Sequence, residues 1–212
     1  MADQSDGGRV NQKRRTHSAI VEATRALIRS GSEVTMSAIA KSALVSDATA
    51  YRYFPDLISL MREAVVGLWP TPAEAMKPIE DSNDPVERVA FATEFFLRGV
   101  LVYAGAARAM LSATVTHPES ATRRSGIRFG LLDHALLPAA STLATEDPEA
   151  FAQLEVDLAI VVSAEALFCL IDQCRLAPEE AVASVVRTAK TVTNAAFSSD
   201  SLRDSVRGAV GD

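Results

Sequence analysis

Tyr51 and Arg52 adjoin near the end of the stretch SALVSDATAYRYFP, residues 42–55, just behind the small residues Ala48, Thr49 and Ala50. A phenol hydroxyl can donate to a phosphate oxygen. A guanidinium can neutralise a phosphate or donate two hydrogen bonds to a guanine edge. Small residues ahead of them let the start of a helix sink into a groove, where its unpaired amides and positive dipole end favour anions. On a helical wheel Ser46, Ala50, Tyr53 and Phe54 cluster on one side, and Ala48, Tyr51 and Arg52 point the other way. Asp47 and Thr49 lie at the flanks. The chemistry on offer is recognition of a nucleic acid. For catalysis the sequence shows no Ser/His/Asp constellation, no metal-spaced His/Glu pair and no Gly-rich nucleotide loop, and its three histidines are His17, His117 and His134. No enzymatic activity, cofactor or metal is expected. Cys169 and Cys174, five apart in one predicted helix, read as ordinary reduced thiols.

Those side chains need a platform. Ser46 can cap a short helix that Pro55 stops. A helix so short cannot persist alone, so it must lean on neighbours. Upstream, Ile20, Ala23, Leu27 and Ile28 recur at helical spacing and predict a helix over 17–30 ended by Gly31. Thr35 can cap a second short helix with Met36, Ile39, Ala40 and Ala43 on its inner face. The link Leu44-Val45 then joins two short helices, the pattern of a helix-turn-helix. Asp56 can cap a fourth helix over 56–69, striped by Leu57, Leu60, Met61, Ala64, Val65 and Leu68. Net charge is −6, but residues 1–66 hold nine Lys/Arg against seven Asp/Glu, a net of +2, while the remainder holds twelve against twenty, a net of −8. Such asymmetry is the pattern of a chain that approaches a polyanion with one end. The basic run Lys13-Arg14-Arg15, ahead of the first helix, can reach flanking phosphates or a minor groove.

Residues 15–66 closely resemble the N-terminal domain of the TetR family of bacterial transcription regulators. The family pattern is carried by Gly31, Thr35, Ile39, Ala40, Ala43, Val45, Ser46, Thr49, Tyr51, Tyr53 and Phe54. Beyond these fifty or so residues the chain is similar to the family only in length and helical character. The resemblance implies an all-α fold: an N-terminal three-helix DNA-binding domain with a helix-turn-helix, joined by a fourth helix to a C-terminal helical bundle. It implies a homodimer on a palindromic double-stranded DNA operator, acting as a repressor released by a small-molecule effector. DNA contacts would then come from Arg14, Arg15, Thr35, Ser37, Ser46, Asp47, Ala48, Thr49, Tyr51, Arg52 and Tyr53. Three departures stand out. Leu44 occupies the turn position where the family usually has glycine, at a cost of about 1–2 kcal/mol if the backbone there is left-handed. Asp47 stands where a lysine often opens the recognition helix, and the fourth helix starts PDLISL without its usual lysine. Phosphate anchoring shifts to Tyr51, Arg52, Thr35, Ser37, Lys41 and the arm. The alternative is an all-helical small-molecule carrier or enzyme with a vestigial helix-turn-helix.

The organisation that follows is a flexible basic arm over 1–14, a DNA-reading domain over 15–68, an effector-binding and dimerisation bundle over 69–197, and a flexible tail over 198–212. The Pro-rich segment 70–83 reads as a connection. After it, Asp84, Pro85 and Glu87 make a strong helix start. Further helices are predicted at 104–116, 119–144 with a kink at Pro138, 148–175 and 178–197. Candidate effector contacts are Phe91, Phe95, Arg98, Met110, Phe129, His134, Glu165 and Phe168. His117 falls in a predicted loop, and Arg123, Arg124 and Arg128 read as a solvated face. The two last helices carry Leu158, Val161, Val162, Leu167, Phe168 and Ile171, then Val182, Val185, Val186, Ala189, Val192 and Ala196. That is more apolar surface than one subunit needs, which suggests a two-fold interface there. The sequence has no apolar run of bilayer length and no apolar leader, so a cytoplasmic location and no membrane partner are expected.

Overall fold

The computed structural model describes residues 4–116, 118, 126–140 and 143–209. The first helices are α1 (Gln4–Ser30), α2 (Met36–Ser42), α3 (Asp47–Tyr53) and α4 (Leu57–Ala64). After them come α5 (Pro72–Met76), a 3-10 turn at Lys77–Ile79, α6 (Pro85–Val102) and α7 (Ala104–Thr116). The remainder is α8 (Ile127–Ala140), α9 (Leu143–Glu146), α10 (Pro148–Val161), α11 (Ala164–Phe168), a π-helical turn at Cys169–Gln173, and α12 (Pro178–Ala209). No strand occurs among the described residues, so the fold is all-α. The chain forms two compact units, one of Met1–Trp69 with Tyr103–Arg123, the other of Pro70–Val102 with Arg124–Asp212.

In the first unit, Ile20 and Ile28 of α1, Met36, Ile39 and Ala40 of α2, Ala50 of α3, and Leu60, Met61 and Ala64 of α4 share one buried core. Burying an Ile, Leu or Met side chain stabilises by about 1.5–3 kcal/mol, which holds helices too short to survive alone. Two of them end in the same way. After α1, Ser32 N–H donates to Leu27 C=O (3.2 Å) and Gly31 N–H to Ile28 C=O (3.3 Å). After α2, Val45 N–H donates to Ala40 C=O (3.0 Å) and Leu44 N–H to Lys41 C=O (3.2 Å). Each is the double hydrogen bond of a left-handed helix stop. Gly31 takes its φ of 68° without a Cβ penalty; Leu44 takes φ 56° and pays it with its side chain 92% exposed.

Several boundaries differ from expectation. α1 begins at Gln4 rather than near residue 17, because no proline interrupts the arm, so residues 4–14 continue the helix. α4 stops at Ala64 instead of reaching Trp69. There Arg25 of α1 donates from Nε to Ala64 C=O (2.9 Å) and from Nη2 to Val66 C=O (3.1 Å), capping the helix end, and Gly67 follows with φ 82°. The helix at 104–116 belongs to the first unit, not to the bundle: Ala106 is buried in its core, with Tyr103, Ala109 and Met110 packed against it.

The second unit is built on α6, buried along Val89, Ala92, Phe96, Leu97 and Val100. α8 contributes Leu131, Leu132, Ala135 and Leu136, α10 Leu154 and Leu158, and α12 Val182, Val185 and Ala189. The segment 70–83 is not a bare connection, because Thr71 and Glu74 form a capping box that starts α5. Thr71 N–H and its hydroxyl both donate to Glu74 Oε2 (2.8 and 2.7 Å), and the backbone bond leads in holding the Glu74 carboxyl below its ordinary range. The predicted helix 148–175 breaks at Val162–Ser163. Ser163 Oγ accepts from Ala166 N–H (3.0 Å) while donating to Ile160 C=O (3.0 Å), so one hydroxyl closes α10 and opens α11. α12 runs on to Ala209 with no glycine or proline between Glu179 and Arg207, past the predicted end at 197.

A buried arginine explains how α8 tolerates Pro138. Proline has no N–H to give the carbonyl four residues back, that of His134. Arg88, 4% exposed, donates from Nη2 to His134 C=O (3.0 Å) and from Nε to Ala135 C=O (3.0 Å). Its Nη1 reaches the carbonyls of Ile79 (3.0 Å) and Ser82 (3.1 Å). One guanidinium thus serves the carbonyls of α8 and of the turn after α5.

Candidate nucleic-acid interface

The short helix α3 is fixed at both ends and along one side. Ser46 Oγ accepts from Thr49 N–H (3.2 Å) and donates to Thr49 Oγ1 (2.9 Å), so both hydroxyls are engaged in the N-cap. Ala50 is 0% exposed and Phe54 5%. Tyr53 is half-buried against the core, its ring 6.3 Å from that of His17, which also lies 4.8 Å from the Phe54 ring. On the opposite side Asp47, Ala48, Tyr51 and Arg52 are exposed, Tyr51 at 52%. The Arg52 guanidinium sits 5.7 Å from the Tyr53 ring centroid, a distance that suits a cation–π contact. The helix therefore has a locked face and an open one.

Thr35 caps α2, its Oγ1 accepting from Ala38 N–H (3.2 Å). Thr35, Ser37 and Tyr51 line one cleft of about 780 Å³ together with Glu33, Asp56, Leu57 and, from α7, Arg108 and Ser112. Ser37, Lys41 and Arg108 are exposed. Lys13, Arg14 and Arg15 are exposed on the early turns of α1, away from that cleft's lining. Of the candidate contacts, Ser46 and Thr49 act as capping groups and Tyr53 as a packing group.

Residues 20–64 match the family model for "Bacterial regulatory proteins, tetR family". That part of the chain is a DNA-binding region of the TetR type. Curated proteins offer no match to it. The matched span opens at Ile20 and closes at Ala64, the last residue of α4, so it contains the whole helix-turn-helix and the core beneath it but stops short of α7. α7 was invisible to the sequence reading as part of the regulator's DNA-reading unit. Its apolar pattern says that one face is buried without saying against what.

The candidate effector contacts do not converge on one place. Met110 belongs to the first unit, packed on its core, and so departs from the group. In the second unit Phe91 and Phe95 are half-buried on α6 and Phe168 is buried. Arg98 is held by Glu94 (2.8 Å) and Glu179 (3.0 Å), hydrogen bonds that raise its guanidinium above the ordinary range. The His134 side chain is half-buried, and its carbonyl is the one Arg88 engages. Glu165 lies 3.9 Å from Arg128, whose guanidinium stacks 4.3 Å from the Phe129 centroid. Desolvation pushes Arg128 below its ordinary range, and the Glu165 charge opposes that. Phe129, Arg128 and Glu165 thus form one cluster, which the sequence reading met only in parts. His117, Arg123 and Arg124 lie outside the described residues.

The apolar stripes expected to form a two-fold interface are largely consumed within the unit: Leu158, Val162, Leu167, Phe168, Val182, Val185 and Ala189 are buried there. Val156 and Ile160, one turn apart on α10, are exposed instead. Among the described residues no single helix is long and apolar enough to cross a membrane.

Proposed function

We propose that this regulator is a ligand-responsive repressor that binds a palindromic operator as a homodimer. The observation that carries the reading is α3, with Tyr51 and Arg52 open to solvent and Ala50 and Phe54 locked beneath them. Arg52 supplies a base-edge or phosphate contact, Tyr51 a phosphate contact, and the exposed Arg14 and Arg15 extend the footprint along α1. In a gel shift with DNA from upstream of the native gene, the wild-type chain gives a salt-sensitive complex. Arg52→Ala weakens it about tenfold, the effect of losing one good base contact, and Tyr51→Phe weakens it a few-fold. A shift undiminished in both variants would end the reading.

The dimer contact runs through α10 and α12, with Val156 and Ile160 as its exposed apolar pair. A two-fold dimer matches a palindromic site. Sedimentation showing a monomer at micromolar concentration would count heavily against it. The effector occupies the second unit beside the Arg128, Phe129 and Glu165 cluster. Its effect has a covalent route, because α6 of that unit continues at Tyr103 into α7 of the reading unit. A hydrophobic compound that raises the melting temperature but leaves operator affinity unchanged would rule this coupling out.

A further inference from the structure

We propose that Cys169 and Cys174 form a two-thiol chelating site for a soft, thiophilic centre that needs only two sulfurs, a trivalent organoarsenical being the type. The inference stands apart from the DNA-binding and effector readings. On an ordinary α-helix two residues five apart face different ways, because the stacked neighbours are three and four apart. The structure changes that spacing rule here. Over Cys169–Gln173 the helix widens to a π turn, and Cys174 N–H donates to Cys169 C=O (3.2 Å). The residue whose amide closes a helical turn stands one turn above the residue that accepts from it. In a π turn the stacked partner is therefore i+5 rather than i+4. Cys169 and Cys174 stand one above the other on one side of the helix, and both are exposed. The turn is held at both ends. Before it, Leu167 and Phe168 are buried. After it, Leu176 N–H donates to Leu170 C=O (3.1 Å) around Arg175, which takes φ 59°.

Magnitudes decide what such a pair can hold. Stacked helical neighbours have Cβ atoms about 5–6 Å apart. A disulfide needs about 3.5–4.5 Å, so joining the sulfurs directly has to distort the turn. One bridging atom removes the difference, since two sulfurs bound at about 2.3 Å to a common centre lie about 3.5–4 Å apart. A structural zinc takes four ligands, and among the described residues no group of three or more His, Cys, Asp or Glu could hold a metal ion. A compound R–As(OH)2 asks for two thiols only. Two As–S bonds replace two As–O bonds, each thiol proton leaves with an arsenic-bound hydroxyl as water, and nothing is oxidised or reduced.

The test treats the reduced full-length chain with phenylarsine oxide and follows intact mass and thiol titration. One phenylarsenic group per chain is expected, with both thiols lost together. The adduct survives millimolar 2-mercaptoethanol and is removed by dithiothreitol. Cys169→Ser and Cys174→Ser each bind about 10²- to 10⁴-fold more weakly, the loss of a second, intramolecular ligand. Two arsenic groups per chain, or an adduct stripped by the monothiol, means thiols that act singly and overturns the proposal; neither result depends on how the variants fold. The melting temperature of the wild-type adduct tests whether the native turn is the chelator. It stays unchanged or rises if the pair is already stacked. A fall means that the turn unwinds to bind, and that too overturns the proposal.

Discussion

At the scale of single residues, Leu44 is where sequence and backbone conflict most plainly. The turn between α2 and α3 requires a left-handed residue, both of its hydrogen bonds are made, and a leucine sits there with nothing to pack on. The same stop after α1 uses Gly31. Leu44→Gly removes the Cβ penalty and forfeits almost no burial, so it raises stability by about 1 kcal/mol even after the extra freedom glycine gives the unfolded chain. Chemical denaturation measures the gain, and an unchanged or lower midpoint would show that the left-handed geometry is not strained. The conflict was legible in advance because the turn position and the missing glycine are both visible in the sequence. So were Tyr51 and Arg52, since a wheel drawn on a seven-residue helix with a fixed cap leaves little choice of face. Tyr53 was harder. The wheel puts it on the packing side while the resemblance offers it to DNA, and its half-buried ring lies 6.3 Å from that of His17, thirty-six residues upstream.

At the scale of elements, helices announced by a cap and an apolar stripe were placed well, whereas their ends were set by partners remote in sequence. α4 carries its stripe on to Leu68, yet Arg25 caps it at Ala64. Pro138 announced a kink in α8 but not its remedy, because Arg88 is forty-six residues away from the carbonyl it serves. That pairing is testable as a cycle. Arg88→Met leaves the carbonyls of His134, Ala135, Ile79 and Ser82 short of a donor and costs about 3 kcal/mol or more in unfolding free energy. Pro138→Ala restores an amide opposite His134, so the double variant loses less than the sum of the singles by about 1 kcal/mol. Strict additivity would mean that Arg88 and Pro138 are not coupled through that carbonyl. Ser163 teaches the same lesson at smaller range: a serine in an apolar run reads as a helix interior until its hydroxyl is seen bonding in both directions.

At the scale of the whole molecule, the DNA-reading unit is discontinuous in sequence. Its first part ends at Trp69, and α7 returns to it only after Val102. A fragment of residues 1–69 lacks the buried Ala106 and the packing of Tyr103, Ala109 and Met110. It is expected to unfold at a denaturant midpoint well below that of the intact chain, where the lone tryptophan, Trp69, sits 6.2 Å from the Tyr103 ring and reports on this unit. Equal midpoints would show that α7 is dispensable. The interleaving also sets an order of events during synthesis. When the four leading helices leave the ribosome, the segment that must close over them has not been translated, and the thirty-three residues from Pro70 to Val102 have to emerge first. A nascent chain therefore cannot finish its DNA-binding unit before the first part of the second unit has been made, so a translation product halted before α7 would lack a complete core beneath the helix-turn-helix.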